Sequence, residues 1–293
     1  MVLIGRAQQA LEQVAAELTG RGTQTAVLCI DLASSQAGGQ IERALADRGL
    51  YCDVLINSAG FGLFGPAAEM DRDDQLNLFD VNARTLTELT LRFLPGMVAR
   101  RRGGILNVGS LTGYTPGPNM AVYYASKTYV RSFSAAISAE VENTGVTITC
   151  LCPGPVRTAF FERCAVGQTQ LSRIMPRANA SDTAEAGWHG FKTGKSLVIP
   201  RRIDRMIAAL MILLPDNILV RLVRAFQKAP APVTRAEFPE PRRARRFKEQ
   251  FRTTDVVSTN SKRIPETELE ESPRPMPHEP GYASTSGSAR SAS

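Results

Sequence analysis

Three side chains in the middle of the sequence have the types and the spacing that acid–base chemistry needs. Tyr123 and Lys127 stand four residues apart in a helix-like segment, and Ser110 precedes Tyr123 by 13 residues. Because residues four apart share one face of a helix, the Lys127 ammonium can approach the Tyr123 phenol. A neighbouring cation favours the phenolate and lowers the pKa of a tyrosine from about 10. We therefore predict that Tyr123 transfers a proton and that Ser110 hydrogen-bonds a substrate carbonyl.

Tyr124 is a second candidate for the acid–base role, since it follows Tyr123 directly. On a helix it lies about 100° further around the axis. Counting back four residues from Lys127 selects Tyr123, and we predict a packing role for Tyr124.

Cysteine and histidine supply little further chemistry. Five scattered cysteines indicate reduced thiols in the cytosol, and two histidines leave little for a histidine-based triad or metal site. Cys150 and Cys152 raise a metal-binding alternative, but they alternate within an apolar run and lack a second pair of ligands. We predict two core cysteines and no metal.

The elements around these residues alternate between strand and helix. Strands are predicted at residues 2–4, 25–32, 53–57, 104–108, 146–152 and 194–200. Helices are predicted at residues 7–18, 40–49, 74–100 and 122–143. This alternation with short connections predicts an α/β fold, in which helices cover both faces of a parallel sheet. Ser110 follows a strand, at the carboxyl edge where such sheets bind ligands.

Composition divides the chain into three predicted parts. Residues 1–200 form the catalytic domain, in which 160–201 cover the substrate, and residues 201–228 form an amphipathic helical extension. Residues 229–293 are rich in Pro, Ser, Arg and Glu and poor in large apolar residues, which predicts disorder. The formal net charge of +7 suits nucleic acid, an anionic membrane or a phosphorylated cofactor.

Five motifs carry a family resemblance. In chain order they are Asp31-Leu32, Asn57-Ser58-Ala59-Gly60, Asp80-Val81-Asn82-Ala83, the set Ser110, Tyr123 and Lys127, and the segment 153–158. On these motifs, residues 2–200 resemble the short-chain dehydrogenase/reductase family, with Ser58 a mild departure from its Asn-Asn-Ala-Gly motif. The resemblance implies a Rossmann-like, doubly wound parallel sheet. It also implies an NAD(P)-dependent oxidoreductase that interconverts a secondary alcohol and a carbonyl.

The resemblance implies four catalytic roles. Tyr123 corresponds to the acid/base, and Ser110 to the serine that orients the substrate oxygen. Lys127 corresponds to the lysine that lowers the tyrosine pKa and binds the nicotinamide ribose. Asn82 corresponds to the asparagine that holds a water of the proton relay.

The resemblance also implies a set of residues that contact or support the cofactor, besides Tyr123 and Lys127. They are Arg6, Asp31, Leu32, Asn57, Ala59, Gly60, Pro153, Gly154, Val156 and Thr158. In the family, the residue after the second strand contacts the adenosine ribose. A basic side chain there can bind the phosphate of NADP. Because a guanidinium binds phosphate through two hydrogen bonds, Arg6 predicts NADP in preference to NAD.

One part of the family pattern is missing. The family opens with a strand, a Gly-rich turn and a helix that bind the cofactor pyrophosphate. No Gly-x-x-x-Gly-x-Gly precedes Arg6, and residues 2–6 resemble the family's second strand. The absent strand, with its helix on the order of 30 residues, belongs between the strands at Val2 and Asp53. We expect a truncated gene model whose true start lies upstream; the alternative is a degenerate protein that no longer binds cofactor.

The remaining predictions concern partners and location. An apolar lid suits a lipophilic small molecule as substrate, and the helices at Asp74 and Val122 resemble the surface through which the family forms homo-oligomers.

Residues 203–226 predict an amphipathic helix, with contact to a membrane interface as the alternative. The basic run 242–246 is interpreted as a solvated charge run, so no nucleic-acid partner is expected. We predict a cytoplasmic protein, peripheral at a membrane in that alternative. The competing functions are a non-catalytic binding or regulatory protein on the same fold and an adaptor that acts through the basic tail.

Overall fold

Six strands form the framework of the residues that the computed structural model describes, which are 1–160, 164 and 176–227. They are β1 (Val2–Gly5), β2 (Ala26–Cys29), β3 (Val54–Asn57), β4 (Gly104–Val108), β5 (Thr147–Leu151) and β6 (Leu197–Val198). β1 pairs with β2, and β3, β4, β5 and β6 lie side by side in a second sheet. All of these pairs are parallel, which confirms the predicted α/β class.

Eight α-helices connect or follow these strands within the same described residues. They are α1 (Gln8–Gly20), α2 (Ala37–Ala46), α3 (Arg72–Phe79), α4 (Thr85–Arg100), α5 (Ala121–Glu140), α6 (Ala180–Lys192), α7 (Arg202–Leu213) and α8 (Asp216–Phe226). Within residues 1–160 and 176–227, none of these helices is long and apolar enough to cross a membrane. The predicted disordered segment 229–293 lies outside the described residues, as do residues 161–163 and 165–175 of the predicted lid.

Helices cover both faces of the four-stranded sheet because side chains alternate along each strand. Ile105 of β4 and Ile148 of β5 pack in one cluster with the apolar sides of α4 and α5. Their neighbours Leu106 and Leu151 belong to a different cluster with Phe191 of α6. The doubly wound arrangement that the sequence predicted is therefore present around β4 and β5.

The predicted helix 74–100 is divided by a wider turn. α3 ends at Phe79, residues Asp80–Arg84 form a single π-helical turn, and α4 begins at Thr85. A π turn changes the direction of the side chains that follow it and is frequent at functional sites. Here it contains the buried Asn82. The spacing of apolar residues did not reveal this turn, because the helix continues on both sides of it.

Helix α6 was not predicted, because Gly187 and Gly190 weaken a helical pattern. The side chain of Asn179 caps its first turn by accepting a hydrogen bond from the backbone of Ser181 at 2.8 Å. The glycines serve packing: a Cβ at Gly190 would stand 2.2 Å from the side chain of Val198 in β6. Close approach of α6 to the sheet therefore requires glycine there.

The predicted helical extension 203–226 consists of two helices. α7 and α8 are separated at Leu214 and Pro215, where an extended backbone ends the first helix and begins the second. Asp204 in the first turn of α7 is almost fully buried and pairs with Arg201 through two hydrogen bonds of 2.7 and 2.8 Å. The same carboxylate accepts from the backbone of Gly154 at 3.3 Å. This contact ties α7 to the loop that follows β5.

The sheet is interrupted between β1 and β3. Neither strand pairs with the other, and the apolar side chains of Val54 and Ile56 in β3 are 38% and 49% exposed. The interruption lies at the place where the resemblance predicts an absent strand. That a strand belongs there stays a prediction.

Candidate active site

The predicted catalytic residues meet at the carboxyl edge of the four-stranded sheet. Ser110 follows β4, Pro153 follows β5, and Tyr123 and Lys127 lie in the first two turns of α5. All four line one cavity of about 1010 Å³. Parallel strands place their carboxyl ends at one edge, so the positions were predictable from the alternation of elements.

Lys127 connects the catalytic helix to the sheet. Its ammonium donates a hydrogen bond of 2.8 Å to the carbonyl of Val108, the last residue of β4. The residue is only 6% exposed, and burial lowers the pKa of the lysine to about 8, opposed by the smaller effects of the Cys150 and Cys152 thiols. An ammonium has three donors, so Lys127 keeps donors for a further partner at the cavity.

The pKa of Tyr123 departs from the prediction. Lys127 was expected to lower it, but burial raises it to about 12, opposed by smaller effects of the Ser110 and Thr112 hydroxyls. The Lys127 ammonium lies 6.0 Å from the centre of the Tyr123 ring and is engaged with the Val108 carbonyl. Removal of the phenol from water therefore dominates this pKa, and the predicted lowering by Lys127 does not appear in this structure.

Thr112 is a site residue that the sequence reasoning missed. Its buried hydroxyl lines the cavity and, like the Ser110 hydroxyl, opposes the rise in the pKa of Tyr123 by hydrogen bonding to the phenol. Ser110 itself accepts a hydrogen bond from the backbone of Thr112 at 3.1 Å and so begins the short helical turn Leu111–Tyr114. The sequence analysis selected Ser110 because it follows a predicted strand, and no spacing rule pointed to Thr112.

Asn82 lies beside the catalytic residues but does not line the cavity. Its side chain donates to the backbone carbonyl of Phe61 at 2.9 Å and accepts from the Phe61 backbone at 3.1 Å. It also donates to Ser126 of α5 at 3.2 Å. Asn82 therefore joins the loop after β3 to the catalytic helix. Its predicted role in holding a water stays a prediction.

Gly60 shapes the space between Asn82 and Lys127. A Cβ at this glycine would stand 3.0 Å from the Asn82 oxygen and 3.6 Å from the Lys127 nitrogen. A side chain at this position would therefore press on Asn82 and come into van der Waals contact with the Lys127 nitrogen. The open cradle and the buried ammonium with spare donors fit a ribose hydroxyl, as the resemblance implies.

Asn57 supports the sheet rather than the cavity. It donates to the side chain of Asn107 in β4 at 2.9 Å, and Asn107 donates to Ser134 of α5 at 3.0 Å. These buried amides have hydrogen-bond partners, as buried polar groups require. Ala59, two residues further along, is exposed and does not line the cavity.

The segment after β5 forms one wall of the cavity. Pro153, Gly154, Val156 and Thr158 all line it. That this wall contacts a nicotinamide stays a prediction. The Pro153 carbonyl accepts from the backbone of Leu111 at 2.8 Å, which joins this segment to the loop that carries Ser110.

Arg6, Asp31 and Leu32 lie apart from the cavity, at the carboxyl ends of β1 and β2. The Asp31 carboxylate accepts from the backbone of Ala33 at 3.0 Å, and the Leu32 carbonyl accepts from Thr85 of α4 at 2.6 Å. Arg6 is exposed. The structure thus brings together the residues that the resemblance assigns to catalysis and to the nicotinamide, and holds those that it assigns to the adenosine at the ends of β1 and β2.

Cys150 and Cys152 are core residues, as predicted. Their sulfur atoms lie 3.5 Å apart, and both side chains are buried against Leu86 and Val130. Within the residues described, no cluster of three potential metal-ligating side chains occurs.

The cavity walls are mainly apolar away from the catalytic residues. Part of the wall comes from α7, from α8 and from Leu214 between them. Its apolar side chains are Ile207, Leu210, Met211, Leu214, Leu219, Leu222, Val223 and Phe226. Trp188 of α6 and Phe160 add aromatic rings, and the ring of Phe160 lies 5.2 Å from that of Tyr123. The cavity is large enough for a small-molecule ligand of substantial size.

The family follows from sequence comparison. Residues 1–167 match the family model of the short chain dehydrogenases, and the chain belongs to that family.

Relatives and solved structures agree with this assignment. Very-long-chain 3-oxoacyl-CoA reductase of Bos taurus is 34% identical over 54% of this chain and 52% of its own. Sulfoacetaldehyde reductase of Chromohalobacter salexigens is 33% identical over 63% of this chain and 74% of its own. The chain thus spans about half the length of the bovine reductase. A short-chain dehydrogenase from Sphingobium yanoikuyae in complex with NADPH has the same fold, with a TM-score of 0.63, 23% identity, and coverage of 82% of this chain and 88% of its own.

Replacement of Lys127 by methionine tests the burial of its charge. Burial lowers the lysine pKa from 10.5 to about 8, so between these values the unfolded chain binds more protons than the folded protein. The buried charge therefore destabilises the folded protein fully below pH 8, and the penalty disappears as the pH rises towards 10.5. Measured by urea unfolding, the stability of the wild type relative to K127M should rise by about 2 kcal/mol from pH 7 to 9.5.

The exposed Lys192 provides the control, because K192M leaves the buried charge in place. A stability difference between wild type and K127M that stays constant over this pH range would contradict the account.

Proposed function

We propose that the protein is an NADPH-dependent reductase of a lipophilic carbonyl compound, which it converts to a secondary alcohol. The observation that carries the proposal is the position of the Ser110, Thr112 and Tyr123 hydroxyls and the Lys127 ammonium in an otherwise mainly apolar cavity. An apolar cavity with a few convergent polar groups is the usual form of a small-molecule site. Membership of an oxidoreductase family supports the reaction class.

Each polar group has a role that its surroundings support. A phenol whose pKa is about 12 is protonated at neutral pH and is suited to donate a proton to a substrate oxygen. Ser110 and Thr112, which both act on that phenol, hold the oxygen by hydrogen bonding. Lys127 binds the ribose and supplies positive charge beside the tyrosine. The cofactor supplies the hydride when bound.

Replacement of Tyr123 by phenylalanine should remove the proton donor and keep the ring. With cyclododecanone as the ketone probe, we expect kcat to fall by about a hundredfold to ten-thousandfold, followed as NADPH oxidation. Binding of NADPH should change by no more than a few-fold. Tyr129→Phe is the control, because Tyr129 bonds to Thr87 away from the cavity. Equal activity of Y123F and Y129F would overturn the assignment.

NADP is the proposed cofactor form, because Arg6 follows β1 at the edge where the resemblance puts the adenosine ribose. In Arg6→Glu, loss of the charged hydrogen bonds should weaken NADPH binding by about tenfold to a hundredfold, while NADH binding is unchanged or improved. Fluorescence titration measures both. Arg21→Glu, an exposed site at the other end of α1, is the control. If R6E weakens NADPH and NADH equally, Arg6 does not select the phosphate.

A non-catalytic binding protein on the same fold is the second candidate. The interruption between β1 and β3 favours it, since a dinucleotide crosses the sheet edge in this region of such folds. The fluorescence titration also decides this question when it includes a version extended to the nearest upstream start codon. Binding of cofactor by neither version would support the second candidate.

The outer surfaces of α7 and α8 suit contact with an anionic membrane. Met206, Leu210 and Leu213 of α7 are 68%, 57% and 79% exposed, and Ile218 and Leu222 of α8 are also exposed. Four exposed arginines flank these apolar side chains, namely Arg202, Arg205, Arg221 and Arg224. An amphipathic helix with apolar and basic side chains binds at the membrane interface.

Because Leu210 and Leu222 also line the cavity, a lipophilic substrate could enter it from the membrane directly. We therefore propose a cytoplasmic protein that is peripheral at a membrane.

Cosedimentation with vesicles tests this contact. The wild type should bind vesicles that contain phosphatidylserine, bind phosphatidylcholine alone less, and dissociate as salt rises. The double variant Met206→Asp with Leu213→Asp should stay in the supernatant because it cannot insert apolar side chains. Binding that survives these changes would contradict the assignment, as would vesicle binding that depends only on residues 228–293.

Leu91→Asp on α4 provides the control, because Leu91 is 54% exposed on another surface. The same variant tests the proposed homo-oligomer, since exposed Leu76, Phe79 and Leu91 lie along α3 and α4. Light scattering should show a smaller mass for L91D than for the wild type, with vesicle binding retained.

A further inference from the structure

A buried amide at the end of α8 faces the cavity from a side that the catalytic residues do not use. Gln227 directly follows α8, lines the cavity and is only 1% exposed. Its amide nitrogen donates a hydrogen bond of 2.7 Å to the hydroxyl of Tyr124. Its amide oxygen is buried and has no hydrogen-bond partner among the residues that the structure describes. The two residues are 103 positions apart in the chain.

The surroundings of this pair are apolar. Val223, one turn before Gln227, packs in a cluster with Tyr123, Tyr124 and Met120. Burial raises the pKa of the Tyr124 phenol, so this hydroxyl stays protonated. An amide oxygen without a partner in such a place costs free energy unless a ligand provides a donor.

We propose that Gln227 and Tyr124 form a second polar subsite of the cavity, which binds a hydroxyl group of the substrate. The proposal rests on the proposed reductase function and narrows its substrate to a lipophilic carbonyl compound that also carries a hydroxyl. A hydroxyl both donates and accepts, so it matches the amide whichever of its two ends bonds to Tyr124.

The position of the subsite explains why it would affect reactivity. Tyr124 is the neighbour of Tyr123 on α5, and the centres of their rings lie 6.1 Å apart, edge to face. A hydroxyl held by Gln227 therefore fixes the substrate close to the acid–base residue. The loss of such a contact changes both affinity and the alignment of the carbonyl.

The specificity of this subsite depends on the unpaired amide oxygen of Gln227. A site built to bond a hydroxyl rejects the analogue that lacks it, because its own polar group is then left without a partner. Wholly apolar analogues should consequently bind less well than hydroxylated ones, although the cavity is mainly apolar.

The test compares cyclododecanone with a set of hydroxycyclododecanones that carry one hydroxyl at successive ring positions. Calorimetry on the full chain, without cofactor, measures the Kd of each compound for the wild type and for Gln227→Met. Methionine keeps the length and volume of glutamine but cannot form the hydrogen bonds. In the wild type, at least one hydroxylated isomer should bind about tenfold or more tightly than cyclododecanone, which corresponds to about 1.4 kcal/mol.

In Q227M that preference should disappear, while cyclododecanone binds as well as to the wild type or better. Tyr124→Phe keeps the ring and should reduce the preference. Gln8→Met, an exposed glutamine on α1, should leave it unchanged. The proposal is overturned if no isomer is preferred by the wild type or if the preference survives in Q227M. An equal loss for all compounds also overturns it, because it assigns Gln227 only a role in holding α8.

Failure of the subsite and failure of the reductase function remain distinguishable. The subsite is measured by binding without cofactor, whereas the reductase function is measured by NADPH oxidation and its dependence on Tyr123. Reduction of cyclododecanone without any hydroxyl preference would refute the subsite alone.

Discussion

The hydrogen bond between the Lys127 ammonium and the Val108 carbonyl determines how the catalytic groups are arranged. It joins the second turn of α5 to the last residue of β4 across a buried contact of 2.8 Å. Ser110 follows Val108 by two residues, and Tyr123 precedes Lys127 by one helical turn, so this contact joins the two segments that carry these hydroxyls. The ammonium is buried without a carboxylate, which lowers its pKa to about 8. The buried ammonium therefore lowers the stability of the folded protein, and groups whose protonation is shifted by burial in this way are frequent at functional sites.

The helices that follow the sheet serve the site in two ways. The Asp204 carboxylate, which pairs with Arg201, accepts from the Gly154 backbone and so ties α7 to the loop after β5. The hydrogen bond from Gln227 to Tyr124 ties the end of α8 to α5. With both ends held, the inner sides of α7 and α8 can form cavity wall while their outer sides stay apolar and basic. The pair thereby joins the surface at which a lipophilic molecule would arrive to the residues that would reduce it.

Local pattern predicted those features that local geometry determines. The four-residue spacing selected Tyr123 and Lys127, and the strand–helix alternation put Ser110 and Pro153 at one edge of a parallel sheet. Features that depend on distant contacts escaped it. Thr112 has no signal of its own, the partner of Gln227 is 103 residues away, and the π turn at Asn82 follows from contacts with Phe61. The raised pKa of Tyr123 was missed for the same reason, since spacing indicates a neighbouring charge but does not measure the loss of water.

The interruption between β1 and β3 lies at one end of the cavity. β3 presents the half-exposed Ile56 at this interruption, and Ile56 also lines the cavity, so the cavity extends to the unpaired edge of the strand. Unpaired edges of central strands are unfavourable in folded proteins and are normally covered. A segment that covered this edge would also complete the cavity wall beside Ile56, whereas Tyr124, Gln227 and the apolar sides of α7 and α8 line the cavity from other elements. Under the proposed function, the first region would affect cofactor binding and the second would affect substrate binding, so changes in the two affinities can be measured separately.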